Sequence, residues 1–180
     1  MEVESSLQFA GVPDAFQRLW TPHRMAYVEG EEKPATTSSC DCPFCRAPSL
    51  SDEEGLIVHR GEHAFVLMNL FPYNSGHLLV CPYRHISLYP DISVEERNEI
   101  AELTVRAMEV LTTAVGAQGF NLGMNQGEVA GAGIAPHLHQ HVVPRYKGDA
   151  NFLPVIGQTK AVPQLIEDAR QILVANWERV

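Results

Sequence analysis

Apolar and polar residues along the chain change period several times, and each change marks an element. Residues 1–13 hold no sustained period and are expected to be flexible, while "FQRLWTPHRMAYV" carries enough apolar bulk to dock on a core. Residues 30–39, "GEEKPATTSS", are polar and read as an exposed loop. "GLIVHR" and "HAFVLMNL" are β-rich runs split by Gly61-Glu62, which predicts a hairpin. "GHLLVCP" (76–82) is a third strand, apolar enough to be covered on both faces. Ser93 and Glu96 form a capping box, and Ile100, Leu103, Met108 and Leu111 follow at helical spacing until Gly116. Strand character returns in "GFNLGMN" (119–125) and "HLHQHVV" (137–143), and residues 163–177 repeat as an amphipathic helix. Hairpin strands, a long helix and further strands predict an α+β fold, an antiparallel sheet packed by helices.

Composition narrows the possibilities. The chain has 180 residues, 45% apolar and 19% charged, which suits one domain, expected to span 14–180. Its net charge of −9, without a basic cluster, disfavours nucleic acid and acidic membranes as partners. No apolar run reaches the roughly 18 residues that cross a bilayer, and the first residues lack signal-peptide character, so a cytoplasmic location is expected. Reducing conditions there make a disulfide framework a poor reading of the four cysteines.

Two motifs carry candidate chemistry. On a strand His137, His139 and His141 project from one face, each about 6.5–7 Å from the next. A row roughly 13 Å long cannot bind one metal ion through all three, since Zn–N bonds are about 2.0–2.1 Å. Two neighbours could, given a further ligand from elsewhere. The preceding "NQGEVAGAGIAP" supplies glycines and small residues that let a phosphate approach backbone N–H groups. "CDCPFC" (40–45) contains Cys42-x2-Cys45, a spacing that chelates zinc, with Cys40 left over and Cys81 read as a core residue. Completing such a site needs two more ligands, for which His59, His63, His77, His85 and the triple run are available. A glutaredoxin-like redox pair competes, but the polar loop before it is not the buried strand that such a site follows.

His-φ-His-φ-His-φ-φ, where φ is apolar, is the signature that "HLHQHVV" resembles, that of the histidine-triad superfamily of nucleotide hydrolases and transferases. "NLFPYNSGHLLVCPYRHIS", "NQGEVAG" and "HVVPR" resemble its nucleotide-side hairpin, phosphate loop and continuation, and "RLWTPHRMAYV" and "GDANFLPVIGQTK" resemble its diadenosine tetraphosphate phosphorylase branch. The resemblance implies a HIT-like fold with about five strands, a long packed helix and a C-terminal helix. It also implies a homodimer and a structural zinc held by Cys42, Cys45, His85 and His137. His139 would then be the nucleophile, forming a nucleotidyl-histidine. His141, Asn125 and the backbone from Gly131 through Ala132 to Gly133 would support the phosphate. Asn69 would bind the ribose, Leu67 and Leu70 the base, and His77 would orient the triad. The implied reaction is phosphorolysis of diadenosine tetraphosphate to ATP and ADP. Alternatives are hydrolysis of dinucleoside polyphosphates or AMP conjugates, nucleotide binding with little turnover, and thiol redox chemistry. Gln140 departs from the apolar pattern, and Ala132-Gly133 lacks the polar side chain that other members place there, which leaves the acceptor open between phosphate and water.

Overall fold

The computed structural model describes residues 41–149 and 164–179. The expectations for residues 1–13, "FQRLWTPHRMAYV", the loop 30–39, Cys40 and most of "GDANFLPVIGQTK" lie outside the described residues.

Five strands form one sheet in the order β1 (Ile57–Arg60), β2 (Ala64–Met68), β3 (Leu78–Pro82), β5 (Gln140–Arg145) and β4 (Gly119–Gly123), antiparallel throughout. Strand alternation sorts the side chains into two layers. Val66, Met68, Leu78, Val80 and Val142 share one core with Ile100, Leu103, Ala107, Val110 and Leu111 of helix α2 (Val94–Val115) and with Leu173 and Trp177 of α3 (Ile166–Trp177). Phe65, Leu67, Leu79 and Cys81 face the other way, under a short helix α1 (Pro43–Arg46) and its neighbours Cys42 and Ala47. β2 and β3 are therefore buried at every position, which explains why neither alternates in sequence.

α2 begins with the expected capping box, Ser93 accepting from the Glu96 N–H and Glu96 accepting from the Ser93 N–H, and ends at Gly116 with φ 71°. Glu96 also holds Arg84 through two bonds of 2.6 Å, which ties the segment after β3 to the start of the helix. Gly61-Glu62 forms the hairpin turn, and the Glu99 carboxylate accepts the N–H groups of Glu62, His63 and Ala64 there. α3 is fastened by Arg170, whose guanidinium donates to the Ile57 carbonyl and to Glu167. Among the described residues no helix is long and apolar enough to cross a membrane.

Two boundaries differ from the sequence pattern. β4 ends at Gly123, so Met124 and Asn125 fall in the following loop. β5 starts only at Gln140, so His137 and His139 precede the ladder rather than sit in it. Continuing the register of Val80 with Gln140 would set Pro82 beside Leu138. The Pro82 carbonyl is instead taken by the His137 ring, and the Leu138 N–H donates to Ile86.

Candidate active site and metal cluster

Cys42 caps α1 and Pro43 fills its first position, where a missing N–H costs nothing. The N–H groups of Cys45 and Arg46 close onto the Cys42 carbonyl, which turns both thiols toward the end of β3 and the start of the triad. Cys45 Sγ lies 3.2 Å from His85 Nδ1, and His137 Nδ1 lies 3.4 Å from each thiol sulfur. The ligand atoms of Cys42, Cys45, His85 and His137 all fall within 4.8 Å of one another. A tetrahedral ion with Zn–S of about 2.3 Å and Zn–N of about 2.0–2.1 Å needs ligands roughly 3.3–3.8 Å apart, so the set fits a metal ion after shifts of a fraction of an ångström to about 1 Å. His137 is prepared for that role. Its Nε2–H donates to the Pro82 carbonyl at 2.9 Å, so Nδ1 carries the lone pair. Burial lowers the His137 pKa to about 4. Cys81, buried in β3 with its thiol pKa pushed up by burial, stays outside this set, as expected of a core residue.

The tautomers of the remaining histidines follow from their fixed partners. The His137 carbonyl can only accept, so His139 Nδ1, 2.8 Å away, carries the proton and His139 Nε2 is left bare. Burial lowers the pKa of His139 below the usual value, which keeps the ring neutral at pH 7. On the other flank the Tyr73 N–H can only donate, and it meets His77 Nδ1 at 3.0 Å. His77 Nε2 must then carry the proton that it gives to His141 Nδ1 at 3.0 Å. His141 is thereby held with its own proton on Nε2. Burial, and next the nearby charge of protonated His139, lower its pKa to about 4. A histidine with a bare Nε2 thus neighbours one with an Nε2–H, their ring centroids 5.0 Å apart. Gly76, at φ +80°, makes the turn that delivers the fully buried His77 to this place; a Cβ there would lie 3.1 Å from Leu111.

Other predicted residues divide. Asn69 is drawn into the histidine network, its amide donating to His77 Nδ1 while its oxygen accepts the Phe71 N–H. Leu67 is buried on the histidine face, whereas Leu70 is 59% exposed, so the two do not share one environment. Asn125 is half-buried in the loop two residues past the pairing of Gly123 with His141. The Gly131 N–H is spent on the Glu128 carbonyl, so it does not face a ligand. Gln140 donates to the His141 carbonyl, so its polar partner lies in its own chain. An open cleft of about 600 Å³ runs past Arg84, His85, Ser87, Asp91 and Glu128. It contains neither His139 nor His141, and its carboxylates oppose a polyphosphate.

Two aromatic residues of the site have no counterpart in the expectations. Phe44 packs 4.9 Å from His139 and 5.5 Å from His137, and Tyr73 stacks 5.5 Å from His141. Their only sequence signal is position, one inside the Cys-x2-Cys pair and one four residues before His77.

Comparison with known proteins agrees with this geometry. The HIT domain model matches residues 52–148. The chain belongs to the HIT domain family. Cys42 and Cys45 thus lie upstream of the HIT match, while His85 and the triad lie inside it. AP-4-A phosphorylase of Mycobacterium tuberculosis, in two strains, is 45% identical over 172 residues, covering 94% of this chain and 88% of that protein. A Zn-bound histidine triad family protein from Mycobacterium smegmatis superposes with a TM-score of 0.62 at 25% identity, over 79% of this HIT chain and 96% of that one. A histidine triad nucleotide-binding protein from Sulfolobus tokodaii gives 0.63 at 26% identity, over 77% and 93%.

Proposed function

We propose that this HIT protein is an enzyme that phosphorolyses diadenosine tetraphosphate to ATP and ADP through a nucleotidyl-histidine on His139. The observation that carries the reading is the pair of opposite tautomers, His139 with a bare, neutral Nε2 and His141 with an Nε2–H beside it. The likeness to AP-4-A phosphorylase supports phosphate as the acceptor.

His139 Nε2 attacks the α-phosphorus in line, the P–N bond forms, and the bond to the bridging oxygen breaks so that ATP leaves as an anion. The positive charge gained by the ring is shared through Nδ1–H with the His137 carbonyl. His141 donates its Nε2–H to a phosphate oxygen, and Asn125 and the backbone of Ala132 and Gly133 would be the further donors that the family resemblance implies. An oxygen of inorganic phosphate then displaces Nε2, releasing ADP and restoring the neutral ring. Asn69 and the two leucines, Leu67 and Leu70, take the ribose and base ends. Cys42, Cys45, His85 and His137 would hold a structural zinc, which with four protein ligands would supply rigidity rather than a reacting group. The same reading has the chain act in the cytoplasm as a homodimer.

Incubation with diadenosine tetraphosphate, with and without inorganic phosphate, decides the reaction. Phosphate-dependent ATP plus ADP supports it; AMP-containing products in the absence of phosphate would replace it with hydrolysis. The donor chain makes a separate prediction. His77→Phe removes the N–H that fixes the His141 tautomer, and kcat should fall on the order of 10²-fold with KM little changed. His77→Gln, whose amide can still donate, should recover part of the loss. A kcat near wild type in His77→Phe would show that His141 needs no fixed tautomer.

A further inference from the structure

Phe44 lies with Pro43 between the two cysteines of the metal cluster, and its ring is packed on His139. Only 7% of it is exposed, and its centroid lies 4.9 Å from that of His139 with the planes at 47°. The same ring meets His137 edge-on at 5.5 Å and 76°. Its backbone is pinned on both sides, since Cys42 and Cys45 both reach the cluster and Pro43 opens the turn between them.

Among the described residues His139 is otherwise held by one hydrogen bond, from Nδ1 to the His137 carbonyl, and by the His141 ring at 5.0 Å. A single bond at Nδ1 fixes the tautomer but leaves the ring free to swing about it. A swing moves Nε2, at the far side of the ring, away from the attack direction. Such displacements are costly, because about 1 Å of misplacement can lower a rate on the order of 10²-fold. Phe44 packs against that ring at 4.9 Å and limits its tilt. Two of the three supports of His139, the His137 carbonyl and the Phe44 ring, belong to the segments that carry metal ligands.

We propose that Phe44 is a positioning residue for His139, through which the four-residue metal cluster sets the aim of the nucleophile. The inference rests on the nucleophile reading of His139. The cluster then has a catalytic consequence without a metal-bound reactant, because the two thiols set where Phe44 stands and Phe44 sets where Nε2 points.

Phe44→Leu and Phe44→Ala in the metal-loaded full chain test this, with metal content, thermal midpoint, kcat, KM and the ring ¹⁵N resonances of His139 and His77 recorded. Leucine retains apolar bulk but not the flat ring. Phe44→Leu should keep its metal and the His77 resonances, shift or broaden those of His139, and lose about tenfold in kcat with KM within about twofold. Phe44→Ala should lose more in kcat. Stripping the metal by chelation should lower kcat of the wild type but add little to the loss in Phe44→Ala. A wild-type His139 spectrum and kcat in Phe44→Leu would overturn the proposal, as would a loss of metal that accounts for the whole effect. Absence of turnover in the wild-type protein would count against the proposed reaction instead, and the His139 resonances would still decide the positioning role.

Discussion

His139→Ala is expected to lower kcat by at least about 10⁴-fold while the protein still binds nucleotide with near wild-type affinity. The size follows from the lack of a substitute. The nearest nitrogen bases are those of His141, whose Nδ1 is occupied by the His77 proton and whose Nε2 carries a proton of its own. A water molecule would have to attack directly, without the covalent step that divides the displacement in two. Rapid quench with labelled diadenosine tetraphosphate should trap a labelled wild-type protein and leave the variant unlabelled, while calorimetry reports the retained binding. Residual turnover within tenfold of wild type would end the nucleophile assignment. The pH profile follows from the same ring. His139 attacks when neutral, and burial lowers its pKa below 6.5, so the neutral fraction at a given pH is larger than for a free imidazole. The acid limb of kcat/KM should therefore lie below pH 6.5. Stability should move in the same direction. The unfolded chain takes up protons on its histidines near pH 6.5, whereas folded His141 resists until about 4, so its contribution is present above 6.5 and lost as pH falls through that window.

Several of these features are legible in sequence because they are local. Ser93 and Glu96 satisfy one another's backbone, so three residues of spacing are enough to place the start of α2. Cys42 and Cys45 on one turn, and histidines at alternating positions, are likewise set by backbone periodicity. The start of β5 depends on chemistry elsewhere. Alternation extends back to His137, yet the ladder stops at Gln140 because the Pro82 carbonyl accepts from an imidazole instead of a backbone N–H. The Glu99 cap on the hairpin and the Arg84–Glu96 pair join residues far apart in sequence, and no periodicity announces them. Tautomers are less legible still. The sequence pattern is the same whichever nitrogen is bare, and only the Tyr73 N–H and the His137 carbonyl decide between them. The bond from His77 to His141, and the Tyr73 N–H that fixes the His77 tautomer, depend on the fold and carry no signal in the sequence pattern.

Removing the metal is expected to lower the thermal midpoint by roughly 8–16 °C. A ligand bound only by the folded state at a thousand times its dissociation constant stabilises by about 4 kcal/mol, and each kcal/mol is worth about 2–4 °C in a chain of 150–250 residues. The loss is local in origin. Cys42, Cys45, His85 and His137 come from the segment around α1, the residues after β3 and the approach to β5, and few other bonds tie these three together. Arg84 is held to Glu96 and the Ile86 carbonyl accepts from the Leu138 N–H, so the His85 segment keeps these anchors without metal, and the helix-side core with α2 and α3 is untouched. Cys42→Ser and Cys45→Ser should each lower metal content and the midpoint together, whereas Cys81→Ala should leave the metal in place, since Cys81 lies in β3 outside the cluster. Affinity should weaken in acid, because both thiols must release protons to bind. Elemental analysis beside differential scanning calorimetry checks all four proteins. A preparation without metal, with a reducible Cys42–Cys45 disulfide and an unchanged midpoint, would return the pair to redox chemistry. The triad makes that outcome informative for catalysis as well, because the carbonyl that fixes the His139 proton belongs to His137, and a His137 ring without a metal would keep the Pro82 hydrogen bond and the Phe44 contact but lose its tie to the cluster.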